Sequence, residues 1–150
     1  MKLLDRYYEE KWQIIPIRTG EKRPMWKNWP KRSISYLKAR DWINHDQGNI
    51  AVVTGHGLTI LDYDKRPGRI TENIEFFRSY KTLLCFTPRG YHVYYQSEKK
   101  PSKAQVKKRS LTEGLESVRW ENQYTLLPPS SVDGRAYWWL DSMKQPLREW

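Results

Sequence analysis

Cysteine is almost absent: Cys85 stands alone in 150 residues. A single thiol excludes an intrachain disulfide and any Cys-rich zinc site, so no zinc is expected. Long apolar runs are absent too. No stretch reaches the roughly 18 consecutive apolar residues of a membrane-spanning helix, which leaves no membrane partner. The segment Met1-Lys2-Leu3-Leu4-Asp5-Arg6 lacks the apolar core of a secretory leader. A soluble chain in a reducing, cytoplasmic setting is the expectation. No repeat, low-complexity tract or internal linker interrupts the sequence, so 1–150 reads as one compact α+β domain, long enough to bury its own core.

Acidic residues are in the minority. Seventeen Asp and Glu face 27 Lys and Arg, a net charge of +10. That excess suits a polyanion, because basic side chains gain affinity by releasing counterions condensed on phosphates. Eight Trp and ten Tyr accompany it. Flat rings beside cations are what unpaired bases stack on, although many of these rings must also fill a core poor in Leu and Ile.

Apolar spacings of three and four predict a helix over 3–12, followed by a strand at 13–17 in which Pro16 points to a sheet edge. A basic, aromatic loop spans 19–30. Ser33 or Ser35 is placed to cap a helix through Tyr36, Leu37, Ala39, Trp42 and Ile43. A buried strand at 50–54 turns at His56-Gly57 into the next strand, as a hairpin. A short helix follows at 72–80, with Ile74, Phe76 and Phe77 turned inward. Strands at 82–87 and 91–95 flank the turn Pro88-Arg89-Gly90. Residues 98–109 form an exposed loop or basic helix. Strands at 115–120 and 124–127 meet across a turn at Glu121-Asn122, and a last strand occupies 136–140.

The run Leu58-Thr59-Ile60-Leu61-Asp62-Tyr63-Asp64 carries the most chemistry. Side chains at i and i+2 share one face of a strand, so Asp62 and Asp64 aim two carboxylates at one place. Such a pair is costly unless a cation, proton or basic side chain offsets it, and a hard divalent ion such as Mg²⁺ or Mn²⁺ would do so. Alternatively, Asp62 merely ends the strand and Asp64 caps the turn at Lys65-Arg66-Pro67-Gly68.

Several motifs recur in a telling order. Lys22-x-Pro24 precedes Trp29. Gly48-Asn49-Ile50 leads through Val53-Thr54-Gly55 to Leu61-Asp62-Tyr63-Asp64. Thr87-x-x-Gly90-x-His92-x-Tyr94, Pro128-Pro129-Ser130, Gly134 and Tyr137-x-Trp139 follow. This ordered set resembles the bifunctional primase/polymerase (prim-pol) domain of the archaeo-eukaryotic primase superfamily, found in replication proteins of plasmids and viruses. The resemblance is strongest over 12–140. It implies a primase-like catalytic core, with an RNA-recognition-like sheet beside a small α/β module. It also implies metal-dependent nucleotidyl transfer from nucleoside triphosphates on a single-stranded DNA template or primer.

On that resemblance Asp62 and Asp64 would ligate Mg²⁺ or Mn²⁺, two ions in all, and His92 on a neighbouring strand would contact the phosphates of the incoming nucleotide. Gly90 would let backbone approach that ligand closely, and Arg89 offers a phosphate-binding fork. The third carboxylate of the pattern falls, by spacing from Pro128, on Ser117. Glu116 lies one residue off register, and a β-bulge would restore it. Arg119 resembles the basic residue after that acid, and Ser130 the serine after Pro128-Pro129, as nucleotide contacts or, for Ser130, a means of fixing the sheet end. Lys22 would reach phosphate, Trp26 would stack a base, and Trp29 would stack or pack two modules together. Lys99, Lys100, Lys103, Lys107, Lys108 and Arg109 form a track for DNA backbone.

Two functions stay open. One is a primase/polymerase; the other is a binding module of the same fold, weakened in catalysis, serving as a replication accessory or origin-binding protein. His45, His56 and His92 are scattered, which disfavours a nickase built on paired histidines. No Gly-x-x-x-x-Gly-Lys loop is present, so any unwinding would come from a separate helicase.

Overall fold

A computed structural model describes residues 2–150. In chain order it contains α1 (Lys2–Glu9), β1 (Gln13–Ile17), α2 (Tyr36–Asp46), β2 (Asn49–Val53), β3 (Leu58–Tyr63), α3 (Ile74–Arg78), β4 (Leu84–Phe86) and β5 (Tyr91–Gln96). These are followed by α4 (Lys103–Glu113), β6 (Ser117–Arg119), β7 (Tyr124–Leu127), β8 (Ser131–Val132), β9 (Arg135–Ala136), β10 (Trp138–Trp139) and β11 (Arg148–Glu149). The class is α+β. Among the described residues no helix is long and apolar enough to cross a membrane.

The chain divides into two compact units, one of Met1–Val53 with Asn122–Trp138 and one of Thr54–Glu121 with Trp139–Trp150. The first is built on an antiparallel sheet of order β1-β2-β7. Pro16 sits on the edge strand β1, where its missing N–H costs least. Leu4 and Tyr7 of α1 are buried, and the Tyr7 hydroxyl donates to the Pro128 carbonyl. Ser35 is the N-cap of α2, its side chain accepting from the Lys38 N–H. Asn49 ties the sheet end, donating to the Glu21 and Ser131 carbonyls and accepting from the Ser131 N–H.

The second unit carries β3 in an antiparallel sheet of order β4-β5-β3-β6, with β11 parallel to the far end of β5. One face of this sheet is apolar. Leu61, Tyr63, Leu84, Phe86, Tyr91 and Val93 form a buried cluster with Phe77 of α3, and Val106 of α4 packs against it. Tyr63 and Tyr91, cross-strand neighbours, stack in parallel at 4.5 Å. Helix α4 starts on a full capping box between Ser102 and Gln105 and ends on Gly114 at φ 73°, where a left-handed residue favours glycine.

Four local expectations are corrected. The strands β2 and β3 do not form a hairpin: a turn does close between Gly55 and Leu58, but each strand then pairs in a different sheet. The strands β6 and β7 likewise pair with β3 and β2 rather than with each other. Phe76 is exposed, because the short α3 presents Phe77 and Ile74 to the cluster. The last predicted strand is broken into the short pieces β9 and β10.

Candidate active site

The second face of the β3 sheet is polar at one row. Directly opposed residues of antiparallel strands share a face, and here the row runs Cys85, His92, Asp62, Ser117. Asp62 is 8% exposed. Both of its oxygens are engaged: Oδ1 lies 3.2 Å from His92 Nε2, and Oδ2 accepts from the Arg119 guanidinium at 3.1 Å. Arg119 lies two residues after Ser117, so the pleat returns it to the same face.

Burial pushes the His92 pKa below its ordinary value, while Asp62 and Asp64 pull it upward less strongly. His92 is therefore neutral near pH 7, and its Nε2–H donates to the carboxylate, which as an anion only accepts. The cation that offsets Asp62 is Arg119.

Asp64 lies just past the end of β3, and no hydrogen bond or ion pair holds its side chain among the described residues. It follows Asp62 by two residues. It lines a cleft of ≈ 520 Å³ with Lys65, Arg66, Glu113 and Glu116. The turn after it is held not by Asp64 but by Arg66, which donates to the carbonyls of Gly90 and Thr87. Arg66 is a positioning residue that sequence reasoning does not single out. Its one signal is its place beside Asp64.

Gly90 is required, for a reason other than ligand approach. A Cβ there would meet the Tyr63 carbonyl oxygen at 1.8 Å, so the 88–90 turn lies directly against the exit of β3. The Gly90 N–H donates to Thr87 Oγ1 at 3.0 Å, which closes the turn. Arg89 is exposed at its tip.

Ser117 is the residue in register with Asp62. The Glu116 N–H also donates to the Asp62 carbonyl at 2.9 Å, so two residues oppose one, as in a β-bulge. The Glu116 carboxylate lines the Asp64 cleft. Among the described residues, no group of three His, Cys, Asp or Glu side chains gathers to hold a metal. Mg²⁺ needs no such cage, since it commonly rests on one or two carboxylates and completes its shell with water and substrate phosphate. Asp62 and Asp64, two residues apart at the exit of β3, are the carboxylates such an ion could rest on.

The remaining predicted residues are dispersed. Lys22, Trp26, Trp29 and Ser130 belong to the first unit. Lys22 is exposed. Trp26 carries the Arg32 guanidinium over its ring at 3.7 Å. Trp29 packs edge-on against Tyr124 within its own unit. Ser130 is buried, and its hydroxyl both accepts from the Ile50 N–H and donates to the Ile50 carbonyl, which ties it to β2. Lys99, Lys100, Lys103, Lys107 and Lys108 are exposed on α4 and the loop before it. Arg109 leaves that group: it turns toward Glu113 and lies over the Trp150 ring, on the side of α4 that packs inward.

No curated protein matches the chain. The sequence model of one family, described as the N-terminal domain of bifunctional DNA primase/polymerase, matches residues 4–150. The chain belongs to the bifunctional DNA primase/polymerase (Prim-Pol) N-terminal domain family.

Proposed function

We propose that the second unit is the catalytic part of a DNA primase/polymerase, transferring nucleotides from nucleoside triphosphates to a primer or initiating nucleotide on single-stranded template during replication of a plasmid, virus or similar element. The observation that carries this reading is Asp62, buried on β3 and held by His92 and Arg119, with Asp64 two residues on at the strand exit, where Asp64 lines a cleft that Asp62 itself does not reach. Its support is the membership of nearly the whole chain in the Prim-Pol family.

Asp62 and Asp64 would hold Mg²⁺ or Mn²⁺, with Glu116 reaching the ion from the cleft wall; bound there, the metal neutralises charge on the triphosphate and activates the attacking hydroxyl. Arg119 fixes the Asp62 carboxylate and prevents it from turning away. His92 fixes the other oxygen and, being neutral, adds no competing positive charge. Lys65, Arg66 and the exposed Arg89 surround the β3 exit with positive charge that suits phosphate.

One observation favours a second reading. The position registered against Asp62 is Ser117, and no three-carboxylate group forms among the described residues. A chain with this face would grip nucleic acid and nucleotide while transferring slowly, as a replication accessory. Primer extension on single-stranded template with Mg²⁺ or Mn²⁺ decides: product from the native chain that vanishes with Asp62→Ala and Asp64→Ala supports the enzyme. No product beside intact DNA binding supports the accessory.

A further inference from the structure

A second cavity lies apart from Asp62. It has ≈ 380 Å³ and is walled by α4, the loop before it and β6. Its interior is apolar, from Val106, Leu111, Val118 and Trp120. Lys100, Lys103 and Lys107 border it, against the single carboxylate of Glu116. The volume lies in the range of small-ligand pockets.

Two features of this pocket are unfavourable in an isolated protein. Leu111 is 78% exposed. Lys103 and Lys107 stand in the first two turns of α4, where the helix dipole repels cations, and no acidic residue occupies the first turn. The capping box already takes the Gln105 N–H, so an anion here would be met by the lysines rather than by that amide. One ligand relieves both: a flat apolar ring between phosphates. Lys103 and Lys107 are one turn apart, about 6 Å along the axis, which suits a chain of phosphates passing the pocket better than a lone anion.

We propose that this pocket takes an unpaired base of single-stranded DNA, stacked on Trp120 and capped by Leu111 and Val118, with the flanking phosphates on Lys100, Lys103 and Lys107. The proposal rests on the nucleic-acid partner of the reading above and sharpens a plain phosphate track into a base-reading site. Ser110 and Glu116 line both this pocket and the Asp64 cleft. A base held here lies on the strand that enters the cleft.

The test is fluorescence anisotropy of a short labelled oligothymidylate and of the same oligomer with abasic residues, in EDTA and without triphosphates. The native chain should bind oligothymidylate roughly tenfold or more tightly than the abasic strand, the scale of one stacked base. Leu111→Asn, at an exposed position that does not endanger folding and with no change of charge, should erase that preference and leave the abasic strand's affinity unchanged. Lys103→Gln with Lys107→Gln should weaken both strands. The slope of log affinity against log salt should then flatten by about 0.7 for each phosphate no longer neutralised. Lys108→Gln, outside the pocket, should keep the base preference. Equal affinity for the two strands, or a preference that survives both Leu111→Asn and Trp120→Ala, overturns the proposal. So does displacement of the oligomer by free thymidine monophosphate at equal nucleotide concentration, which would mark a mononucleotide site. The assay involves no transfer, so an inactive Asp62 site leaves it standing, and failure here with normal DNA affinity leaves the catalytic reading untouched.

Discussion

The two faces of the β3 sheet are made from the same strands, one residue out of step. On one face Leu61, Tyr63, Tyr91 and Val93 bury aromatic and aliphatic surface against Phe77 and Val106. On the other, Asp62 is buried beside His92 and Arg119. The first face gains stability from every ring it removes from water. The second sets a charge in low dielectric and recovers the cost only through two well-placed partners. One face holds the sheet together; the other holds a carboxylate where ordinary folding would not put one. That contrast marks the polar row as the place for chemistry.

Breaking the apolar face should give the largest effect. Phe77→Ala removes a ring that meets both Phe86 and Tyr91 edge-on, and should cost about 3–5 kcal/mol, read as a lower denaturant midpoint. Gly90→Ala comes next. Its Cβ has no room against the Tyr63 carbonyl, so stability should fall by about 1–3 kcal/mol and primer extension should fall with it. An intact midpoint would mean that the turn yields easily.

On the polar face, Asp64→Asn should do the reverse. It keeps the shape and loses a charge that no hydrogen bond or ion pair holds among the described residues, so transfer should fall roughly 100-fold or more while the melting temperature moves little. A collapse of folding instead would make Asp64 a structural residue. Ser117→Asp sharpens the contrast further: it places a carboxylate in register with Asp62, and Mn²⁺ affinity by calorimetry and extension activity should both rise. If Glu116→Gln abolishes activity while Ser117→Asp changes nothing, the bulged residue is the working acid.

The smallest effect lies away from both faces. Arg78 donates from Nε and from a terminal nitrogen to the two oxygens of Asp141, at 3.0 and 2.9 Å. Arg78→Ala should lower the denaturant midpoint only slightly, because both groups are solvated. The Arg78 hydrogen bonds hold the Asp141 pKa below its ordinary value. The unfolded chain therefore binds more protons in acid, and the contribution is present above the ordinary carboxylate pKa and lost as pH falls below it. The native chain and Arg78→Ala should thus converge in stability at strongly acid pH.

Much of the local structure is written in short patterns. The alternation at 58–63 marks a strand, Ser35 marks a helix start, and the Pro88-Arg89-Gly90 turn joins β4 to β5. The placement of His92 on a strand neighbouring Asp62 is what the resemblance implies, and β5 does pair with β3 so that His92 opposes Asp62. Gly90 stands out in the sequence as a site of close approach, and the Tyr63 backbone is a close neighbour that requires it. The basic run at 98–109 is ambiguous between loop and helix by composition. The Ser102 and Gln105 capping box, three residues apart, is the readable signal that settles it.

The sequence by itself determined periodicity, caps, turns and the order of motifs, since each depends on residues a few positions apart. Tertiary structure alone decided which strands pair, and with that the site. It sent β2 and β3 into different sheets, set Ser117 rather than Glu116 in register with Asp62, and turned Arg109 inward while its lysine neighbours stayed outside. Pairing rests on which apolar faces bury one another across long separations, and a one-residue change of register moves a carboxylate from one side of a sheet to the other. Local spacing carries no record of that choice.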